Sequence, residues 1–105
     1  MATFKSILKS GISNPQILYT TPTGVTTILL SGFIANKEAD INEVSLYIRR
    51  EGQDYYILYN IPLAIGSTLQ PTDGRKVVLQ PADILYISTT APVDVVMSII
   101  ENVLT

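Results

Sequence analysis

Hydrophobic and polar positions alternate along most of this chain with the two-residue period of β-strands. The clearest run is 41–50, where Val44, Leu46 and Ile48 fall on one face and Glu43, Ser45, Tyr47 and Arg49 on the other. That pattern predicts an antiparallel strand with one wet face. The turn Glu51-Gly52-Gln53-Asp54 leads into Tyr55-Tyr56-Ile57-Leu58-Tyr59, so 41–61 reads as a β-hairpin. Further turn signals stand at Asn14-Pro15, Thr21-Pro22-Thr23-Gly24, residues 36–40, Pro62 to Gly66, Pro71-Thr72-Asp73-Gly74, Pro81-Ala82-Asp83 and Ala91-Pro92. Their spacing is that of a sandwich or barrel. The segments between them, 16–20, 25–35, 41–50, 55–61, 67–70, 75–80, 84–89 and 93–101, are rich in the Ile, Val, Thr and Tyr that suit a pleated surface.

Strand 25–35 is uncharged on both faces. Thr26, Ile28, Leu30, Gly32 and Ile34 share one, and Thr27, Leu29, Ser31, Phe33 and Ala35 the other, which predicts a strand covered on both sides. Gly32 in its middle marks a bulge, a close backbone approach or simple packing. Segment 93–101 fits both a strand and one side of a helix. Its β-branched residues decide for strand, because they lose rotamer freedom in a helix. Residues 1–15 lack strand alternation and are expected to form an arm, with 16–105 as the folded domain. The expected fold is all-β, a single antiparallel β-sandwich of about seven or eight strands with a short N-terminal arm. Val44, Leu46, Ile48, Ile28, Leu30, Ile87 and Leu85 are expected to contribute buried surface.

Composition sharpens this picture. The chain has 105 residues, enough for one core, with 47% hydrophobic and only 15% charged residues. Several strands are apolar on both faces in a chain too short to bury both, which predicts self-association. The net charge of −2 and pI near 4.8 give no general attraction to nucleic acid or to an anionic membrane. No apolar run matches a signal peptide or a membrane helix, so a soluble protein made in the cytoplasm is expected.

Candidate chemistry is sparse. With no His, Cys or Trp, most catalytic and metal-binding vocabulary is missing, and no enzyme activity, metal or cofactor is expected. Ser6 and Lys9 form only a superficial Ser-Lys pair. Asp73 and Asp83 bracket a strand, but their turn contexts point to structural roles. Glu38, Asp40 and Glu43 lack the spacing of a calcium loop. Tyrosine is the one concentrated resource, with Tyr47, Tyr55, Tyr56 and Tyr59 in a single hairpin. Tyr55 and Tyr59 are expected to share a face that Tyr47 approaches, serving cross-strand packing, a subunit contact or a sugar platform. The arm adds Phe4, Lys5, Ile7, Leu8 and Lys9 as interface candidates, its apolar groups filling grooves on a neighbour and its lysines meeting acidic surface.

Three stretches carry a resemblance. They are Ile17-Leu18-Tyr19-Thr20-Thr21-Pro22-Thr23-Gly24-Val25-Thr26-Thr27, then Ile61-Pro62-Leu63-Ala64-Ile65-Gly66-Ser67-Thr68-Leu69, then residues 77–85 with Val93-Asp94-Val95-Val96-Met97-Ser98. In this order, over about residues 17–101, the chain resembles small virion structural proteins of tailed bacteriophages, cyanophages among them. Ala82 departs from the pattern, which commonly has Gly before Asp83, so the turn there is expected to differ if it needs a positive φ. The resemblance implies a non-enzymatic β-sandwich in the virion that binds the major capsid protein or tail and neck proteins. A capsid decoration or cement role comes before a tail, neck or baseplate role, and the resemblance favours a homotrimer. A carbohydrate- or receptor-binding module of a phage fibre is the alternative.

Overall fold

The computed structural model describes residues 2–12, 15–38, 41–72 and 75–102. Among them are nine strands and no helix: β1 (Thr3–Ile12), β2 (Gln16–Thr20), β3 (Thr27–Ala35), β4 (Asn42–Arg50), β5 (Gln53–Leu63), β6 (Thr68–Leu69), β7 (Val77–Leu79), β8 (Ile84–Thr89) and β9 (Val93–Glu101). Segment 93–101 is a strand, as its β-branching requires.

The strands form two antiparallel sheets packed face to face. The first runs β1-β9-β3, with β6 and β7 both beside β3; the second runs β2-β8-β4-β5. β7 pairs with the start of β3 and β6 with its end, so the two act as one strand interrupted by the loop between them. Most connections cross from sheet to sheet, and β4–β5 is the hairpin that stays within one. This strand order is that of a jelly roll. The core lies between the sheets, with Leu29, Ile34, Val95, Met97 and Ile99 from the first meeting Val44, Leu46, Leu85 and Ile87 from the second.

The hairpin turn has positive φ at both central residues, Glu51 and Gly52, and Arg50 pairs with Gln53. This is a two-residue type I′ turn, whose twist matches that of the strands.

Residues 3–12, expected as an arm, form β1 instead. The strand pairs antiparallel with β9 from Thr3↔Glu101 to Ile12↔Val93. Ile7 is buried in the core, while Phe4 and Leu8 face outward and are exposed. Each face of β1 mixes apolar with polar residues, which hides the two-residue period; pairing with β9 makes the strand. Both ends are fastened: Lys5 Nζ lies 2.8 Å from Glu101, and Ser10 Oγ donates to Asp94 at 2.8 Å.

Strand β3 also departs from simple alternation. A bulge between Leu29 and Ser31 shifts its register against β9, so Thr27 and Leu29 point inward before it and Gly32 and Ile34 after it. One inserted residue inverts the facing of everything beyond it. Ile28 and Leu30, expected to contribute buried surface, do so only in part: they sit half-buried on the outer side, and Phe33 is exposed there. Gly32 is a close-approach site: a Cβ on it would lie 2.7 Å from Met97 Cγ.

Candidate functional site

Two outer sheet faces and one polar network hold the residues of interest. The network closes one end of the sandwich. Tyr19 on β2 donates its hydroxyl hydrogen to Glu101 on β9 and lies 3.0 Å from Thr27 Oγ1 on β3, while Lys5 on β1 reaches the other Glu101 oxygen. Burial and the neighbouring carboxylate push the Tyr19 hydroxyl up to about 12. Lys5 and the Tyr19 hydroxyl together hold the Glu101 carboxyl below the usual range. The group is closed on itself, with donors matched to acceptors, and it ties the sheets together.

Asp83 has the structural role its turn predicts. Its buried carboxylate accepts from Gln80 N at 2.8 Å and from Arg50 Nε and Nη2 at 2.8 and 2.6 Å. Arg50 first, then Gln80, holds its carboxyl low against the cost of burial. The backbone of Gln80-Pro81-Ala82-Asp83 closes with Asp83 N donating to Gln80 O at 3.0 Å, and Ala82 has φ 71°. That is a type II turn with Pro at its second position and a non-Gly residue where φ is positive. The turn keeps the left-handed conformation that Gly would favour, so Ala82 carries strain rather than a different local path. Asp73 and Asp40 lie outside the described residues.

The outer face of the second sheet carries the tyrosines, but a different set from that expected. Tyr56, Tyr47 and Tyr86 stand directly across β5, β4 and β8 as one row. Tyr47 and Tyr86 stack at 5.3 Å with planes 8° apart, Tyr56 tilts onto Tyr47 at 4.9 Å, and Tyr59 meets Tyr56 edge-on at 4.9 Å. Arg49 lies 4.5 Å above the Tyr86 ring and forms a bidentate pair with Asp54. Register shifts between Val44 and Leu46 and between Leu46 and Tyr47 place extra residues in β5. At the first, Asn60 takes φ 47°, and its N–H donates to Ser45 Oγ at 2.9 Å. These bulges bring Tyr56 and Tyr59 to one face and leave Tyr55 opposite Ile48 on the other. Tyr47 is buried beneath its neighbours. Because Tyr47 and Tyr86 turn their faces to each other, they form cross-strand packing rather than a flat platform for a sugar.

The outer face of the first sheet is the more unusual surface. Cross-strand register places Phe4, Ile100, Ile28 and Val78 in one row across β1, β9, β3 and β7. Leu8, Val96 and Phe33 form a second row, and Ser6, Ser98 and Ser31 lie between the two. No charged side chain interrupts these rows. Asp94, beyond them on β9, pairs with Lys37 at 3.2 Å. Of the interface candidates read from sequence, Phe4 and Leu8 join this surface. Ile7 belongs to the core, Lys5 to the Glu101 network, and Lys9 stands exposed opposite Val95. Phe33, Val96, Ile100, Ile28 and Val78 are not among those interface candidates; their signal in the sequence is the lack of charge on either side of β3 and the apolar residues on both sides of β9.

No protein-family model matches this chain, and no curated protein matches it in sequence. Similar folds exist among solved structures. A chain from the disulfide-linked pili of Bacillus endospore appendages is 14% identical, with a TM-score of 0.57 over 100% of this chain and 88% of its own. The nucleoplasmin-like N-terminal domain of Drosophila FKBP39 is 15% identical, with a TM-score of 0.57 over 100% of this chain and 93% of its own. A chain of the T13 IBDV viral particle is 10% identical, with a TM-score of 0.41 over 96% of this chain and 35% of its own, a level on which no argument rests. At these identities the likeness establishes the β-sandwich and nothing more.

Proposed function

We propose that this chain is a non-enzymatic structural subunit of a tailed-phage virion, binding and stabilising other virion subunits, with a capsid decoration or cement role ahead of a tail, neck or baseplate role. The observation that carries the reading is the uncharged apolar outer face of the first sheet, which extends over four strands of a chain only 105 residues long. Surfaces of that kind mark association sites. Two further points support it. The three motif stretches resemble virion proteins in their order, and the jelly roll is an architecture that capsid domains use, although a fold by itself assigns no role. Repetition on a particle lattice would let modest contacts add through multivalency.

Mass spectrometry of density-purified particles of the phage that encodes the chain tests this reading. Recovery in constant ratio to the major capsid protein, or in the lower ratio of a tail component, is the expected result. Its absence from purified particles overturns it.

A further inference from the structure

We infer that the outer face of the first sheet docks a second copy of this chain, face to face about a two-fold axis close to β9. The inference rests on the structural-subunit reading and names the partner that this face takes.

Three observations carry it. The first is area. Phe4, Leu8, Phe33, Val78 and Val96 are 74%, 67%, 43%, 47% and 46% exposed. With the half-buried Ile28, Leu30 and Ile100, the face offers roughly 500–600 Å² of largely apolar surface, at the top of the range for the largest patch on a monomer and about two-thirds of the ~800 Å² that each partner of a stable interface buries. The serine row and the rim supply the remainder.

The second is charge. The chain is net acidic, yet the two apolar rows and the serine row between them carry no charge, and Asp94 at their end is matched by Lys37 of the same chain. Two copies of such a face meet without repulsion. The rows themselves offer a basic or acidic partner no charge to select it.

The third is relief. The apolar rows are four residues apart along the strands, roughly 13 Å, with the short serine side chains midway. The serine furrow gives the Phe and Leu side chains of the two copies room to interdigitate at the ~10 Å spacing of packed sheets.

The edge of the same sheet is a poor alternative. β1 presents its free edge with Lys5 and Lys9 flanking Ile7, and a register shift between Lys9 and Ile12 with Gly11 at φ 67°. Charges and bulges of this kind discourage strand addition. Face-to-face pairing about a two-fold axis also predicts a dimer, rather than the trimer that the phage resemblance implies.

Sedimentation equilibrium of the intact chain from 1 to 100 µM, with Phe33→Lys, Val96→Lys and the control Tyr59→Lys, is the test. A dimer mass for the wild type and Tyr59→Lys, with at least a tenfold weaker association for Phe33→Lys and Val96→Lys at unchanged circular dichroism, is expected. Because a lysine variant could misfold, proximity is read separately. The chain has no cysteine, so Ser98→Cys treated with a short bis-maleimide should yield a covalent dimer, and Tyr59→Cys should not. A trimer, a dimer indifferent to both lysines, or cross-linking through Tyr59→Cys alone overturns the inference and leaves the virion reading standing. A wild-type monomer at 100 µM also overturns it, while particle composition still decides the proposed function.

Discussion

The Tyr19 hydroxyl on β2 donates to the Glu101 carboxylate on β9, joining the two sheets by a charge-assisted contact at one end of the sandwich. The partners are separated by most of the chain, and each needs the other. Glu101 is buried, and among the described residues Lys5 and Tyr19 offset its lost hydration; a buried charge deprived of a partner is expensive. Tyr19→Phe keeps the ring and removes the hydroxyl. It should lower unfolding free energy by about 1.5–3 kcal/mol, the range for hydrogen bonds to charged groups. Urea unfolding measures this; a loss below about 0.5 kcal/mol would show that the contact contributes little.

The same pair sets opposite pH limits. The Glu101 carboxyl titrates lower in the folded chain than its ordinary value of 4.5, so its contribution is complete above that value and is lost as pH falls through the folded value. Tyr19 titrates higher, at about 12 against an ordinary 10.0, so folding favours its neutral form. Between those values the unfolded chain has released the proton and the folded chain has not, and stability falls as pH rises. Urea midpoints followed across pH should therefore decline at both extremes. Tyr19→Phe should flatten the alkaline decline above 10.0, and Glu101→Gln the acid decline below 4.5.

Ala82→Gly should stabilise the protein. Ala82 occupies the third position of a type II turn at φ 71°, where a Cβ costs about 1–2 kcal/mol. Part of that gain is returned as added freedom in the unfolded chain, leaving roughly 0.5–1 kcal/mol and a melting point higher by a few degrees. Scanning calorimetry gives the answer, and a lower melting point would mean that the turn is unstrained.

Gly32→Ala should destabilise by about 1–3 kcal/mol, because its Cβ would meet Met97 Cγ at 2.7 Å. The obstacle is a flexible side chain, so Met97→Ala in the same molecule should recover part of the loss from Gly32→Ala. A double-mutant cycle with no coupling between the two positions would place the cost in the backbone.

Deleting residues 2–12 should lower stability sharply, since the deletion removes the buried Ile7, the Lys5 partner of Glu101 and the pairing of one edge of β9. Ile7→Ala alone should cost about 2 kcal/mol, the low end for a buried aliphatic, because its site lies at a sheet edge. Proteolysis by trypsin offers a second readout: Lys5 and Lys9 should resist cleavage in the native chain. Cleavage there at the rate of an unfolded peptide would return this segment to the status of a loose arm.

The sequence by itself determined the strand character, most strand positions and much of the core. Segments 84–89 and 93–101 are strands with those bounds, and Val44, Leu46, Leu85 and Ile87 are buried as their alternation requires. These follow from a local rule, since successive side chains on a strand point to opposite sides. Tertiary structure decided what that rule cannot carry. The bulges in β3 and β5 shift the alternation by one residue, which turned Ile28 and Leu30 outward, brought Tyr56 into the tyrosine row and put Tyr55 on the other face. The pairing of β1 made a strand of a segment whose own pattern is mixed. The continuous face from Phe4 to Val78 exists only once four strands distant in sequence lie side by side, because register between strands is a relation between distant residues and has no period to read along the chain.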